Sequence, residues 1–98
     1  MDRKSLIAVL RKLRPALEAE GVAHIALFGS RARDDAQPNS DVDILLDVAP
    51  ERRLTLLDLV GIEHLVTDTT GIQANAFLRR GLDAKFSKTI SSDLVKVF

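Results

Sequence analysis

The chain has 98 residues, of which 46% are hydrophobic and 29% charged, with 14 basic residues balanced by 14 acidic ones. This length and composition predict one ordinary globular domain over residues 1–98 with a modest core, not a disordered segment. Zero formal net charge gives no global field for long nucleic acid, so strong nucleic-acid binding is not expected; the absence of cysteine excludes disulfides, thiolate zinc sites and cysteine nucleophiles.

Met1-Asp2-Arg3-Lys4 leads into an amphipathic segment that does not read as a signal peptide. No apolar run approaches the ~20 residues of a membrane span. The expected setting is cytoplasmic, without a membrane. Leu6, Val9, Leu10, Leu13 and Leu17 recur at helical spacing and predict an amphipathic helix over roughly Ser5 to Glu20. Pro15 either kinks it or starts a second short helix near Arg14, and Gly21 is a stop signal. Five basic residues and no acidic one lie between Arg3 and Arg14. Such a face is ordinarily solvated, though it could also meet an acidic partner. A first strand is predicted from about Val22, with Ile25 to Phe28 buried. Arg31-Ala32-Arg33 is helix-compatible, Gln37 to Ser40 reads as a turn, and a second strand carries Asp41 and Asp43 ahead of Ile44-Leu45-Leu46. Beyond Pro50 a helix is predicted over about Leu54 to Thr67, with Asp68 to Gly71 as a turn cluster. Ile72 to Leu78 alternates as a third strand, and a last helix starts at about Asp83. Leu94 to Phe98 is either a short edge strand or an interface tail. The element order implies an α/β protein of the α+β type, a small mixed sheet with flanking helices.

The stretch from Ala26 to Asp47 holds the chemistry. Gly29 has no Cβ, so a phosphate can approach its backbone, and Ser30 is a good helix cap beyond which N–H groups point toward an anion. Arg31 and Arg33 lie two apart, so at most one of them faces that anion; we assign Arg33. Asp41 and Asp43 project from the same strand face about 7 Å apart, a poor arrangement without a cation between them. Their hard oxygens suit Mg²⁺, with Mn²⁺ as the alternative. Together these parts predict a triphosphate-binding site for phosphoryl or nucleotidyl transfer.

Gly29-Ser30-Arg31-Ala32-Arg33 followed by Ser40-Asp41-Val42-Asp43 resembles the signature of the DNA polymerase beta-like nucleotidyltransferases. The likeness is to the minimal nucleotidyltransferases, which consist of little beyond the catalytic palm. It is strong from Ile25 to Asp47 and looser elsewhere. The resemblance implies that Gly29 and Ser30 bind the phosphates of ATP or another nucleoside triphosphate, and that Asp41 and Asp43 are catalytic and hold Mg²⁺. It also implies a partner, a small helical HEPN-domain protein that the chain serves as antitoxin and modifies with AMP. A homo- or hetero-oligomer is compatible with this.

Two positions depart from the family pattern. A third aspartate on the next core strand is usual, and here the matching segment Ala74-Asn75-Ala76-Phe77 offers Asn75. Asparagine supplies neither negative charge nor a proton acceptor of general-base strength. A shifted strand register, or the approach of Asp68 or Asp83, would restore the carboxylate. Asp34 stands where glycine is usual, and aspartate tolerates unusual backbone angles. Asn75 keeps a second reading open, a catalytically weakened module that neutralises its partner by complex formation.

The remaining candidates have plainer readings. His24 and His64 are too far apart in sequence to form a zinc motif and read as structural or surface residues. Arg79-Arg80 reads as a solvated turn. Leu57, Val60 and Leu65 read as core or a subunit interface. Ser5 and Ser87 lack an adjacent base and support no nucleophilic serine chemistry.

Overall fold

Alternate residues of the three longer strands are apolar and buried, and this alternation fixes which way the chain's chemistry faces. The computed structural model describes residues Met1–Phe98. Strands β1 (Val22–Phe28), β2 (Val42–Val48), β3 (Ala74–Leu78) and β4 (Val95–Lys96) form one sheet in the order β3-β2-β1-β4. β1 runs antiparallel to both β2 and β4, whereas β2 and β3 are parallel. The sheet is therefore mixed. The helices are α1 (Arg3–Lys12), α2 (Arg14–Ala19), α3 (Ser30–Arg33), α4 (Leu56–Thr70) and α5 (Ala84–Ser91).

One face of the sheet forms the main core. Ile25 and Leu27 of β1, Val42, Ile44 and Leu46 of β2, and Ala74 and Ala76 of β3 pack with α1, α2 and α4 through Leu6, Leu10, Leu17, Ile62 and Val66. Burying each larger side chain stabilises the fold by roughly 1.5–3 kcal/mol. The residues between them face the other way. Phe28 and Leu45 form a second cluster there with Ile90 of α5, flanked by Phe77 and Phe86. The three phenylalanine rings meet edge-on or tilted at centroid distances of 5.4, 5.8 and 6.2 Å. This aromatic cluster seats α5 on the second face. Asp43 and Asn75 share that face, one strand alternation before Leu45 and Phe77.

Several boundaries differ from the predicted ones. The first helix is two: Asp2 caps α1 by accepting from the Ser5 N–H at 2.8 Å, the helix ends at Leu13, and Pro15 sits in the first turn of α2, where its missing N–H costs nothing. The helix α4 runs to Thr70 and not Thr67, so most of the expected turn at Asp68–Gly71 is helical. The hydroxyls of Thr69 and Thr70 donate to the carbonyls of Leu65 and Val66, both at 2.8 Å, so these polar residues satisfy themselves on the helix. Gly71 ends it in the left-handed region at φ +75°. β3 starts at Ala74, two residues later than expected. Leu57 is no core residue: it is 80% exposed and Leu56 77%, because only the stripe through Ile62 and Val66 faces the sheet. Val60 is partly exposed, and Leu65 packs against the rim of the core. The C-terminal segment is an edge strand, with Phe98 buried and hydrogen-bonded through its backbone to Ile25.

β3 is the opposite edge. Two of its outward N–H groups are taken by α4, with Ala74 donating to Thr67 Oγ1 at 3.0 Å and Ala76 to Glu63 Oε2 at 2.8 Å.

Candidate active site

The turn after β1 and the start of β2 meet at one atom. Gly29 has φ +78° and ψ −159°, backbone that an L side chain rarely adopts. A Cβ built there would lie 2.7 Å from Asp43 Oδ2. Glycine is thus demanded twice, by conformation and by the carboxylate against it. Ser30 opens the single turn of α3, in which the Ala32 and Arg33 N–H groups both donate to the Gly29 carbonyl at 3.1 Å. The preceding N–H groups, of Ser30 and Arg31, are the first of the helix and have no acceptor within it. Asp34 closes α3 in the left-handed region at φ +63°. Its carboxylate accepts from the Arg3 N–H at 3.1 Å, so aspartate serves where glycine was the usual residue.

Across the parallel β2–β3 pair, Asn75 is the direct partner of Asp43. Its Nδ2 donates to Asp41 Oδ2 at 3.0 Å and to Asp43 Oδ1 at 3.2 Å. The register is therefore the one expected from the sequence. Burial raises the Asp43 carboxyl above the ordinary 3.8; the Asn75 hydrogen bond draws it back, and the neighbouring Asp41 charge pushes it up again. Neither Asp68 nor Asp83 supplies a third carboxylate. Asp83 caps α5 by accepting from the Phe86 N–H at 2.7 Å, and no group of three or more His, Cys, Asp or Glu side chains is placed to share an ion.

Arg33 is engaged in two ion pairs at the surface. Its guanidinium donates to Asp35 at 3.1 Å and to Asp93 at 2.9 Å, so its charge is shared with two carboxylates. Arg31 is the residue that sequence reasoning passed over. It is the one buried charged side chain, 7% exposed. It donates to the Ser40 carbonyl from Nη2 (2.8 Å) and Nε (3.3 Å), to Met1 O (3.3 Å) and to Gln37 O (3.4 Å). The turn at Gln37–Ser40, closed by Ser40 N–H to Gln37 O at 3.0 Å, is thereby fixed just before Asp41. No side-chain pattern announces this, because its partners are main-chain carbonyls. His24 and His64 are exposed, as are Arg79 and Arg80; Arg79 pairs with Asp47 at 2.7 Å, and Arg80 donates to Arg52 O at 3.0 Å.

The family model for the nucleotidyltransferase domain matches residues 10–97. The chain is similar to protein adenylyltransferase MntA of Thermococcus cleftensis, with 32% identity over 80 residues, 82% of this chain and 79% of that protein. A solved candidate minimal nucleotidyltransferase superposes with a TM-score of 0.80 at 25% identity, covering 97% of this chain and 95% of that one. The fold also recurs, at a TM-score of 0.71 and 13% identity, in a complex of tri-AMPylated Shewanella oneidensis HEPN toxin with MNT antitoxin, covering 98% of this chain and 71% of the matched one. On these matches the chain belongs to the nucleotidyltransferase domain family, and the protein is a nucleotidyltransferase.

Proposed function

We propose that the 98 residues act as a single domain that transfers AMP from ATP to a hydroxyl of a HEPN-domain partner, in a Mg²⁺-dependent reaction that serves as an antitoxin. The observation that carries this reading is the contact of Asp43 Oδ2 with Gly29, which makes the carboxylate pair and the glycine-serine turn one site. The names of the similar proteins, a protein adenylyltransferase and an MNT antitoxin complexed with AMPylated toxin, support the substrate and the partner. A cytoplasmic setting is in keeping with the lack of cysteine and with the absence of any helix long and apolar enough to cross a membrane.

The donor set fits a hard divalent ion. Asp41 and Asp43 are oxygen ligands of full charge, and their mutual repulsion is relieved by a cation. When bound, Mg²⁺ or Mn²⁺ supplies charge neutralisation at the triphosphate. Gly29 lets the Asp43 carboxylate close against the main chain of the turn, and the Ser30 and Arg31 N–H groups are donors for phosphate oxygens. The hydroxyl oxygen of the acceptor attacks the α-phosphorus, the bond to the β-phosphate bridge breaks, and pyrophosphate leaves; the hydroxyl proton passes to solvent. Arg31 holds the loop that aims Asp41. The second reading, neutralisation by complex formation, draws on Asn75 and on the exposed Leu56 and Leu57.

The test mixes the purified chain with a HEPN-domain partner, Mg²⁺ and ATP labelled on the α-phosphate. Transfer of label, falling at least ~100-fold in Asp41→Ala and Asp43→Ala, is the expected result. Transfer that persists in both variants overturns the site. A tight complex without transfer establishes the second reading.

A further inference from the structure

We infer that the centre holds a single divalent cation because Asn75 stands opposite Asp43 as a neutral amide, its nitrogen bridging Asp41 and Asp43 with no third carboxylate beside them. This rests on the metal-dependent reading of the site. The two oxygens of Asp43 are divided between neighbours: Oδ2 lies against Gly29, and Oδ1 accepts from Asn75. Asp41 Oδ2 accepts from the same Nδ2. The two hydrogens of one amide nitrogen match two acceptors. The amide cannot be turned over at no cost, since its oxygen would then face two carboxylate oxygens.

Asn75 is also held in place from both sides. The N–H groups of Ala74 and Ala76 are fixed to Thr67 and Glu63 of α4. The side chain therefore springs from a pinned segment of β3 and stays opposite Asp43. Charge points the same way. The cluster offers two carboxylates and no third acidic or histidine ligand, and one divalent ion balances them. On the Asn75 side a second ion would meet carboxylate oxygens already shared and one neutral amide, too little to repay its desolvation.

Electron paramagnetic resonance of Mn²⁺ tests this, with the chain in excess over the α,β-methylene analogue of ATP, whose α–β link resists nucleotidyl transfer. The wild-type chain is expected to bind one Mn²⁺ per nucleotide complex and to show the spectrum of an isolated ion. Asn75→Asp is expected to bind two and to show a spin-coupled pair, as two-metal sites place ions about 3.5–4 Å apart. Asn75→Ala, which removes the bridge without adding charge, is expected to keep one isolated ion. A coupled pair in the wild type, or one isolated ion in a folded Asn75→Asp protein, overturns the inference and leaves the nucleotidyltransferase reading standing. No nucleotide-dependent Mn²⁺ binding in any of the three proteins removes both.

Discussion

An alanine at position 29 would set its Cβ 2.7 Å from Asp43 Oδ2, in backbone at φ +78°. Gly29→Ala is therefore expected to lose about 1–3 kcal/mol in urea unfolding and to lose nucleotide transfer with it. Arg31→Met leaves the Ser40 and Met1 carbonyls without the guanidinium donor, while Gln37 O keeps only the Ser40 N–H, and a loss of about 3 kcal/mol is expected in the same measurement. Asp43 gives a pH signature whose sign follows from burial. Its raised pKa means that the protonated form suits the cation-free fold; that contribution is lost as pH rises through the folded pKa. A cation needs the ionised form. The rise in Tm caused by Mg²⁺ is thus expected to grow from about pH 4 to about pH 7, and to vanish in Asp43→Asn. At this scale the candidates Gly29, Ser30, Asp41 and Asp43 stood out in the sequence because their chemistry is in their side chains or in the lack of one. The partners of Arg33 did not, since Asp93 reaches it only through the fold of α5 and the chain after it.

The helix α4 begins with a capping box, in which Thr55 Oγ1 accepts from the Asp58 N–H at 3.1 Å and Asp58 accepts from the Thr55 N–H at 2.9 Å. Thr55→Ala is expected to cost about 1 kcal/mol by thermal or urea unfolding, with the site intact. Strand identity was readable because apolar residues alternate along β1, β2 and β3. Helix ends were less so. Asp68, Thr69 and Thr70 have the composition of a turn, yet the Thr69 and Thr70 hydroxyls bond back to Leu65 and Val66 and the helix continues to its Gly71 cap. Exposure of Leu56 and Leu57 was equally hidden, because apolar composition does not say which side of a helix meets the sheet.

Closure of the whole molecule depends on its last residue. Phe98 is buried, exchanges backbone hydrogen bonds with Ile25, and lies with its ring 5.1 Å below the Arg14 guanidinium. Phe98→Ala is expected to cost about 3 kcal/mol in thermal unfolding by detaching the terminal strand from α2. The element order and the mixed sheet followed from the sequence, but the position of β4 beside β1 did not, since two residues of strand carry too little pattern to name a neighbour. The guarded rim at β3 has a consequence for recognition. With Thr67 and Glu63 holding the outward N–H groups of Ala74 and Ala76, and only two residues forming the other border, the protein offers an extended peptide a short and interrupted ladder. A partner gains few main-chain hydrogen bonds along either border, and neighbouring copies are hindered from the rung-to-rung stacking by which bare sheet borders aggregate.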